Sequence, residues 1–266
     1  MASKFEQVNK AWARDVFQGC AVAYSRFSAS GPPQWEYLEK PLFLNAFSDL
    51  PSNATMLDFG AGPGKVALLA TYYGFILKRN LTCYEPNPIL YKELKSRLPS
   101  SRCVRRAKAS LSQSSWAKNK FDIITANMVV NHMNSAEFGE FAAESGHILR
   151  PNGRLVYTIP HPVHEAAKLG IHPEIDEAYR EVEAPWGGLT DYQYRSIERE
   201  RQILKSHGFN QIGFISWGYE DSVPRHVLYD FEFNVGDDIT GPRRLMVIAK
   251  KFGKISDKLL QPVRLS

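Results

Sequence analysis

The segment Ala54-Thr-Met-Leu-Asp-Phe-Gly-Ala-Gly-Pro-Gly64 constrains the fold of this chain more than any other. An apolar run ends in an acid, and glycine then stands at every second position, which is the pattern of a strand feeding a ligand-binding loop. Gly60, Gly62 and Gly64 lack a Cβ, so the backbone can take positive φ and come close to a bound molecule before a helix begins. That helix is read from Lys65-Val-Ala-Leu-Leu-Ala, apolar enough to pack on a sheet. A second apolar run, Leu81-Thr-Cys-Tyr-Glu85, also ends in an acid. It lies roughly 20 residues past the loop, the spacing at which a carboxylate accepts hydrogen bonds from a ribose diol. The two segments together predict a nucleoside site.

The details of the loop narrow the nucleoside. Counted from Gly60, the dinucleotide fingerprint Gly-x-Gly-x-x-Gly/Ala places Lys65 third and fails; counted from Gly62 it gives only Gly62-x-Gly64-x-x-Ala67. A phosphate-cradling P-loop would need Gly in place of Phe59 and Ser or Thr in place of Val66. Asp58-x-Gly60-x-Gly62-x-Gly64 instead resembles the first motif of class I S-adenosylmethionine-dependent methyltransferases, of the small-molecule type. Phe121-Asp-Ile-Ile-Thr-Ala-Asn127 resembles that family's fourth strand, and His147-Ile-Leu-Arg-Pro-Asn-Gly-Arg-Leu-Val156 is similar to its helix end, tight turn and fifth strand. The resemblance spans residues 50–160 and resumes more loosely over 190–252. It implies a doubly wound, Rossmann-like seven-stranded α/β sheet whose final strand runs antiparallel between strands five and six, with S-adenosylmethionine as cofactor.

Periodicity and turn signals predict strands at 54–60, 81–86, 103–109, 121–127 and 154–160, alternating with helices near 64–78, 88–98 and 134–149. Residues 1–50 read as a helical cover broken at Ser30-Gly31-Pro32-Pro33, ahead of a methyltransferase domain over 51–252. Within that domain, 160–190 is expected to form a substrate-covering lid and 218–242 a second insertion, and 253–266 is left as a tail. A helix over 195–206 and strands at 211–217 and 243–250 complete the expectation.

With 266 residues, 44% of them hydrophobic, the chain can build one large α/β domain or a domain with a lid. The N-terminus carries no apolar secretory segment, and the longest largely apolar stretch, Ala67 to Leu77, is too short to span a bilayer. The expectation is a cytoplasmic protein without membrane attachment. Cys20, Cys83 and Cys103 form no Cys-x-x-Cys pair and are read as reduced and structural. A net charge of +5 directs attention to the cluster Lys92, Lys95, Arg97, Arg102, Arg105, Arg106 and Lys108. No nucleic-acid-binding signature accompanies it, and it is read as a solvated face away from a pocket that must accept a sulfonium.

The family resemblance implies roles for individual residues. Asp58 and the backbone of Gly60, Ala61, Gly62 and Gly64 would hold the amino-acid end of the cofactor, and Glu85, followed by Pro86, would hold the ribose. Ser110 stands where many relatives carry an adenine-facing acid, so that contact is either replaced or lost. Asn127 and Met128 would lie under the methionine portion. Tyr24, with Trp35, Tyr37 and Trp186, is a candidate aromatic cover able to face the sulfonium. On the acceptor side the candidates are His132, His161, His164, Tyr157, Tyr194 and Arg195, with His132 and His161 considered as general bases. A metal at His161-x-x-His164 lacks a third spaced ligand and is not expected. An Asn/Asp-Pro-Pro-Tyr/Phe signature after strand four is absent, since Ala126-Asn-Met-Val stands there. The expected function is methyl transfer to an O, N or C atom of a small molecule. An RNA- or protein-directed methyltransferase and a non-methylating S-adenosylmethionine-binding protein or cyclase remain the alternatives.

Overall fold

The computed structural model describes residues 21–29, 31–104, 118–175, 177–183, 189–223 and 241–251. Strands β1 (Met56–Phe59), β2 (Leu81–Tyr84), β3 (Arg102–Val104), β4 (Phe121–Asn127), β5 (Leu149–Pro160), β8 (Gln211–Trp217) and β9 (Arg244–Lys250) form one sheet in the order β3-β2-β1-β4-β5-β9-β8. The first five of these pair in parallel, and β9 lies antiparallel to both β5 and β8. The expected insertion of an antiparallel strand beside the fifth is therefore present. Strand order reverses between β1 and β4, the place where an open α/β sheet leaves a crevice beyond its carboxyl ends.

Two apolar layers sandwich the sheet because strand side chains alternate between its faces. On β9, Met246 and Ile248 join the layer that contains Phe43, Phe47 and Trp217, whereas Leu245, Val247 and Ala249 join the layer with Phe138, Phe141 and Leu204. The first layer is covered by helices α2 (Lys40–Phe47) and α3 (Lys65–Tyr72) and by a wide helical turn over Gln34–Glu39, which follows helix α1 (Ala21–Ala29). Helix α4 (Pro88–Arg97) follows β2. Its first turn is capped by the Asn87 side chain, which accepts from the Ile89 and Leu90 amides. On the other face lies α5 (Ser135–Ile148), started by a reciprocal Asn134–Glu137 capping box. Its end runs directly into β5, where Asn152 at φ 65° makes the turn with Gly153.

Helix α3 ends at Tyr72, well short of the expected residue 78, because Gly74 takes φ 74° and turns the chain away. Strand β3 is described only to Val104, so the remainder of the expected strand falls outside the described residues. The largest departure follows β5. Helix α6 (Pro162–Leu169) is followed by an antiparallel hairpin of β6 (Glu177–Glu183) and β7 (Leu189–Arg195), a two-stranded sheet of its own. The segment read as a lid is thus built largely of regular elements and reaches Arg195, with helix α7 (Ile197–Ser206) starting two residues later. A short helix α8 (Tyr219–Ser222) follows β8, and most of the expected second insertion falls outside the described residues.

One buried network ties the hairpin to the sheet. Arg195 and Glu200 are 2% and 0% exposed and pair at 2.7 Å, and Glu200 also accepts from the Tyr157 hydroxyl at 2.5 Å. The Arg195 guanidinium donates to the carbonyls of Val130, at 2.8 Å, and Met133, fixing the turn after β4, and it stacks over the Phe138 ring. Removing the arginine leaves the buried Glu200 carboxylate without its counter-charge and takes a side-chain donor from the Val130 and Met133 carbonyls, so Arg195→Met should lower unfolding free energy by about 3–5 kcal/mol in denaturant titration. A loss below about 1 kcal/mol would mean that the network is not an anchor.

Candidate active site

Strand β1 delivers Asp58 to the carboxyl end of the sheet, between β2 and β4. Its Oδ1 accepts from Thr125 Oγ1 at 2.8 Å, whereas Oδ2 is buried with no hydrogen-bond partner among the described residues. Burial pushes the carboxyl up to about 7, against the lowering effect of the Thr125 hydroxyl and the Ala67 amide. At the end of β2, Glu85 is also buried and pushed up to about 7 by desolvation. Its Oε2 accepts from the Gly62 amide at 2.7 Å and its Oε1 from the Asn87 amide at 2.8 Å. Glu85 therefore braces the glycine loop, and each of its oxygens retains acceptor capacity for a ligand. Pro86 is the buried link between Glu85 and the cap of α4.

The three glycines serve different ends. A Cβ on Gly60 would lie 2.5 Å from Val129 Cγ2, and one on Gly64 would lie 2.8 Å from Leu94 Cδ1, so both allow close packing of the loop on its neighbours. A Cβ on Gly62 would meet only the Tyr24 ring and hydroxyl, at 3.6 Å. Gly62 thus faces a cover contributed by α1. Ala61 is buried and its amide donates to the Tyr84 carbonyl at 3.0 Å. Burial, followed by the nearby carboxylates of Glu39, Glu85, Asp58 and Glu93, raises the Tyr24 phenol well above its ordinary range and keeps it a neutral hydroxyl. A cradle of buried carboxylates with an orphaned acceptor at Asp58 fits a ligand carrying an ammonium group and a diol. Both belong to the cofactor that the sequence resemblance implies. Ser110 lies outside the described residues.

Beside this cradle is a cavity of about 410 Å³. The N-terminal segment lines it with Tyr24, Trp35 and Glu39, the exit of β4 with Asn127, Met128 and His132, and α6 and β7 with His164, Lys168 and Tyr192. Asn127 is held on both sides: its amide donates to Glu39 Oε2 at 3.0 Å and its carbonyl oxygen accepts from Thr158 Oγ1 at 2.5 Å. Met128 sits at φ 55°, an unusual conformation for a bulky side chain, and its amide donates to the Thr158 carbonyl at 3.1 Å. His132 contacts the Asp191 carbonyl through Nδ1 at 2.5 Å and the Asn131 side-chain nitrogen through Nε2 at 3.1 Å. A carbonyl can only accept, so Nδ1 carries the proton and Nε2 accepts from the Asn131 amide. Burial lowers the pKa of this ring, against the Asp191 carbonyl, so the imidazole is neutral.

The other acceptor-side candidates separate. His161 is not in the cavity wall: its Nε2 meets Ser216 Oγ on β8 at 3.0 Å, and burial depresses its pKa to about 4. His164 lines the cavity and accepts from Arg243. Tyr157 and Arg195 are taken up by the anchoring network described above, and the Tyr194 hydroxyl donates to the Pro173 carbonyl at 2.7 Å. In the aromatic set, Trp35 lines the cavity with Lys65 Nζ 5.3 Å from its ring centre, and burial lowers that lysine to about 8. The Tyr37 carbonyl accepts from Trp217 Nε1 at 2.9 Å, and Trp186 falls outside the described residues.

Sequence reasoning missed Glu39, Arg243 and Arg244, all in the cavity wall. Glu39 accepts from Arg244 Nε at 3.0 Å as well as from Asn127, joining the N-terminal turn to β9 and β4. One signal was available for the arginines. The implied final strand is antiparallel, so its first residues lie at the ligand edge, where two adjacent arginines opening an apolar run are conspicuous.

Residues 35–212 match the family described as "Methyltransferase domain". No curated protein matches the chain. Among solved structures it is similar to a Listeria monocytogenes protein assigned as an S-adenosylmethionine-dependent methyltransferase, with 18% identity and a TM-score of 0.60 over 80% of this chain and 99% of that one. A second, an S-adenosylmethionine-dependent methyltransferase from Mesorhizobium loti, has 15% identity and a TM-score of 0.56, covering 83% of this chain and 98% of that one. Phosphoethanolamine N-methyltransferase 2 of Haemonchus contortus, solved with S-adenosyl-L-methionine, has 12% identity and a TM-score of 0.53, covering 80% of this chain and 52% of that one. At these identities the structural likenesses establish the fold.

The glycine analysis predicts unequal costs. Gly60→Ala should destabilise the protein by about 2–4 kcal/mol, from left-handed strain plus overpacking on Val129. Gly62→Ala should cost only the strain, about 1–2 kcal/mol. Equal loss for the two variants in thermal or urea unfolding would contradict the separate roles.

Proposed function

This chain belongs to the methyltransferase-domain family, and from that premise we propose that it transfers a methyl group from S-adenosylmethionine to an O, N or C atom of a small-molecule acceptor bound in the cavity. The observation that carries the acceptor class is the cavity itself. Its volume of about 410 Å³ falls in the lower part of the range for small-ligand sites, roughly 300–1,000 Å³, and its walls come from the N-terminal turn, α6 and β7. A polymer substrate would call for an open groove, and of the basic cluster near α4 the described members Lys92, Lys95, Arg97 and Arg102 take no part in the cavity wall.

When bound, S-adenosylmethionine supplies an already activated methyl on a sulfonium. What remains for the chain is to bind, orient and exclude water, and orientation alone can contribute several kcal/mol, up to about 7–11 in well-positioned cases. Asp58 Oδ2 would receive the ammonium group, Glu85 the ribose hydroxyls, and Asn127 and Met128 would face the methionine portion. Tyr24 would close over Gly62. His132 is assigned to positioning: its Nε2 lone pair is engaged by Asn131, and a lowered pKa makes it a weak base. The N-terminal turn, the helix α6 and the β6–β7 hairpin would act together as the cover and lid.

The test of this reading is incubation of cell extract with the protein and methyl-labelled S-adenosylmethionine, followed by mass spectrometry. A labelled molecule small enough for the cavity is expected; label found only in RNA or protein would contradict the acceptor class. With that acceptor in hand, His132→Gln should raise KM while preserving the pH–rate profile, whereas loss of the acidic limb in His132→Ala would reassign it as a base.

A pH dependence also follows from Asp58 and Glu85. Both carboxyls are raised to about 7, so in the ligand-free protein they hold protons between their unfolded values and about 7, and their contribution to stability falls as pH rises through that window. A cationic ligand favours the ionised acids. Cofactor affinity should therefore rise from about pH 5 to 7 and level off above about 8, with protons released on binding at pH 6. Calorimetry in two buffers of different ionisation enthalpy measures the release. Binding without proton release, or with uptake, would contradict the assignment of Asp58.

A further inference from the structure

The cavity wall holds a second polar group besides the acidic cradle. Arg243 lies in the wall and is 5% exposed. Its Nη1 donates to the His164 ring, with Nδ1 at 3.1 Å. The remaining edge, Nε and Nη2, is buried with no hydrogen-bond partner among the described residues. Those two nitrogens present parallel N–H bonds on one side of the guanidinium, the fork that matches a carboxylate or phosphate bidentately. A buried guanidinium edge left without an acceptor is costly, because each N–H has lost its water. His164 can only accept from Arg243, so it holds the guanidinium in place without neutralising it.

The surrounding charges point the same way. Glu39, one of the two carboxylates in the wall, is engaged by Arg244 and Asn127. The other, Glu165, shares the wall with Arg243, Lys168 and Lys65, so positive charge predominates. The lining also offers apolar and aromatic surface at Trp35, Leu169, Tyr192 and Tyr219. We propose that the free edge of Arg243 binds an oxyanion, carboxylate or phosphate, carried by the acceptor, whose apolar or aromatic body lies against Trp35, Tyr192 and Tyr219. Calling that ligand the acceptor rests on the methyltransferase reading above; the oxyanion site itself does not. An anion here would also sit across from a cationic cofactor, in a region where low dielectric strengthens their attraction.

The test uses protein loaded with S-adenosylhomocysteine and three probes of similar shape: benzoate, phenyl phosphate and neutral benzyl alcohol. Calorimetry should show binding of at least one anionic probe and weaker binding of the alcohol; which anion binds identifies the oxyanion. Arg243→Gln should weaken that anion by on the order of tenfold to a hundredfold, the loss of a charged hydrogen-bonded pair. Arg243→Lys, which keeps the charge but not the fork, should fall between the two. If Arg243→Gln does not fold, the lysine variant and the shift of an arginine Nε resonance of the wild type on titration with the anion carry the test. Anion binding unchanged in either variant, no binding of either anion, or equal binding of the alcohol would overturn the proposal. S-adenosylhomocysteine binding is read in the same samples: its absence from the wild type would count against the methyltransferase reading while leaving the oxyanion result standing.

Discussion

Glu85 carries the constraint on which the rest of the site depends. One buried carboxylate accepts the amide of Gly62 with one oxygen and the amide of Asn87 with the other, and so joins the loop after β1 to the start of the helix after β2. The loop can then hold its positive-φ glycines in a fixed register with Asp58 behind it and Tyr24 above it. Loss of this carboxylate would leave two buried N–H groups without acceptors, each costing about 1–3 kcal/mol. The same residue keeps lone pairs for a ligand, so the brace and the recognition surface are one group.

A division of charge organises the space around this brace. Asp58, Glu85 and Glu39 surround the loop side, where a sulfonium and an ammonium need counter-charge. Arg243, Arg244 and Lys168 bring positive charge to the cavity wall. Glu39 joins the two halves, since it receives Arg244 from β9 and Asn127 from β4 while belonging to the N-terminal turn. The left-handed backbone of Met128 stands at this junction and turns the chain out of β4 toward His132. Chemistry that needs little more than alignment and dryness is suited to such a site, because the fixed dipoles and packed walls are in place before the acceptor arrives.

Much of the sheet was legible in the sequence because its signals are local. Acids ending apolar runs, alternating glycines, the Asn134–Glu137 cap and the Pro151-Asn-Gly153 turn each specify backbone conformation within a few residues, and together they set the order of strands and helices. Helix α3 came out shorter because Gly74 competes with the apolar pattern that continues past it. The hairpin of β6 and β7 was not legible: its strands pair only with each other, and sequences such as Glu177-Ala-Tyr-Arg-Glu-Val-Glu183 lack the apolar runs of a buried strand. Side-chain fates were harder still. His161 and His164 are three residues apart, yet one faces Ser216 on β8 and the other Arg243 in the cavity, a difference fixed by strands that follow much later in the chain. Glu39 depends on Arg244, 205 residues away, and Arg243 on His164, 79 residues away, and no local pattern encodes either contact.

The most direct test of the account is a crystal structure of the protein with S-adenosylhomocysteine. The ribose should hydrogen-bond Glu85, the amino group should meet Asp58 Oδ2, and the sulfur should face Met128 at the mouth of the cavity lined by His132 and Arg243. A ligand lying wholly within that cavity, with Asp58 and Glu85 untouched, would contradict the division into an acidic cradle and a basic acceptor pocket.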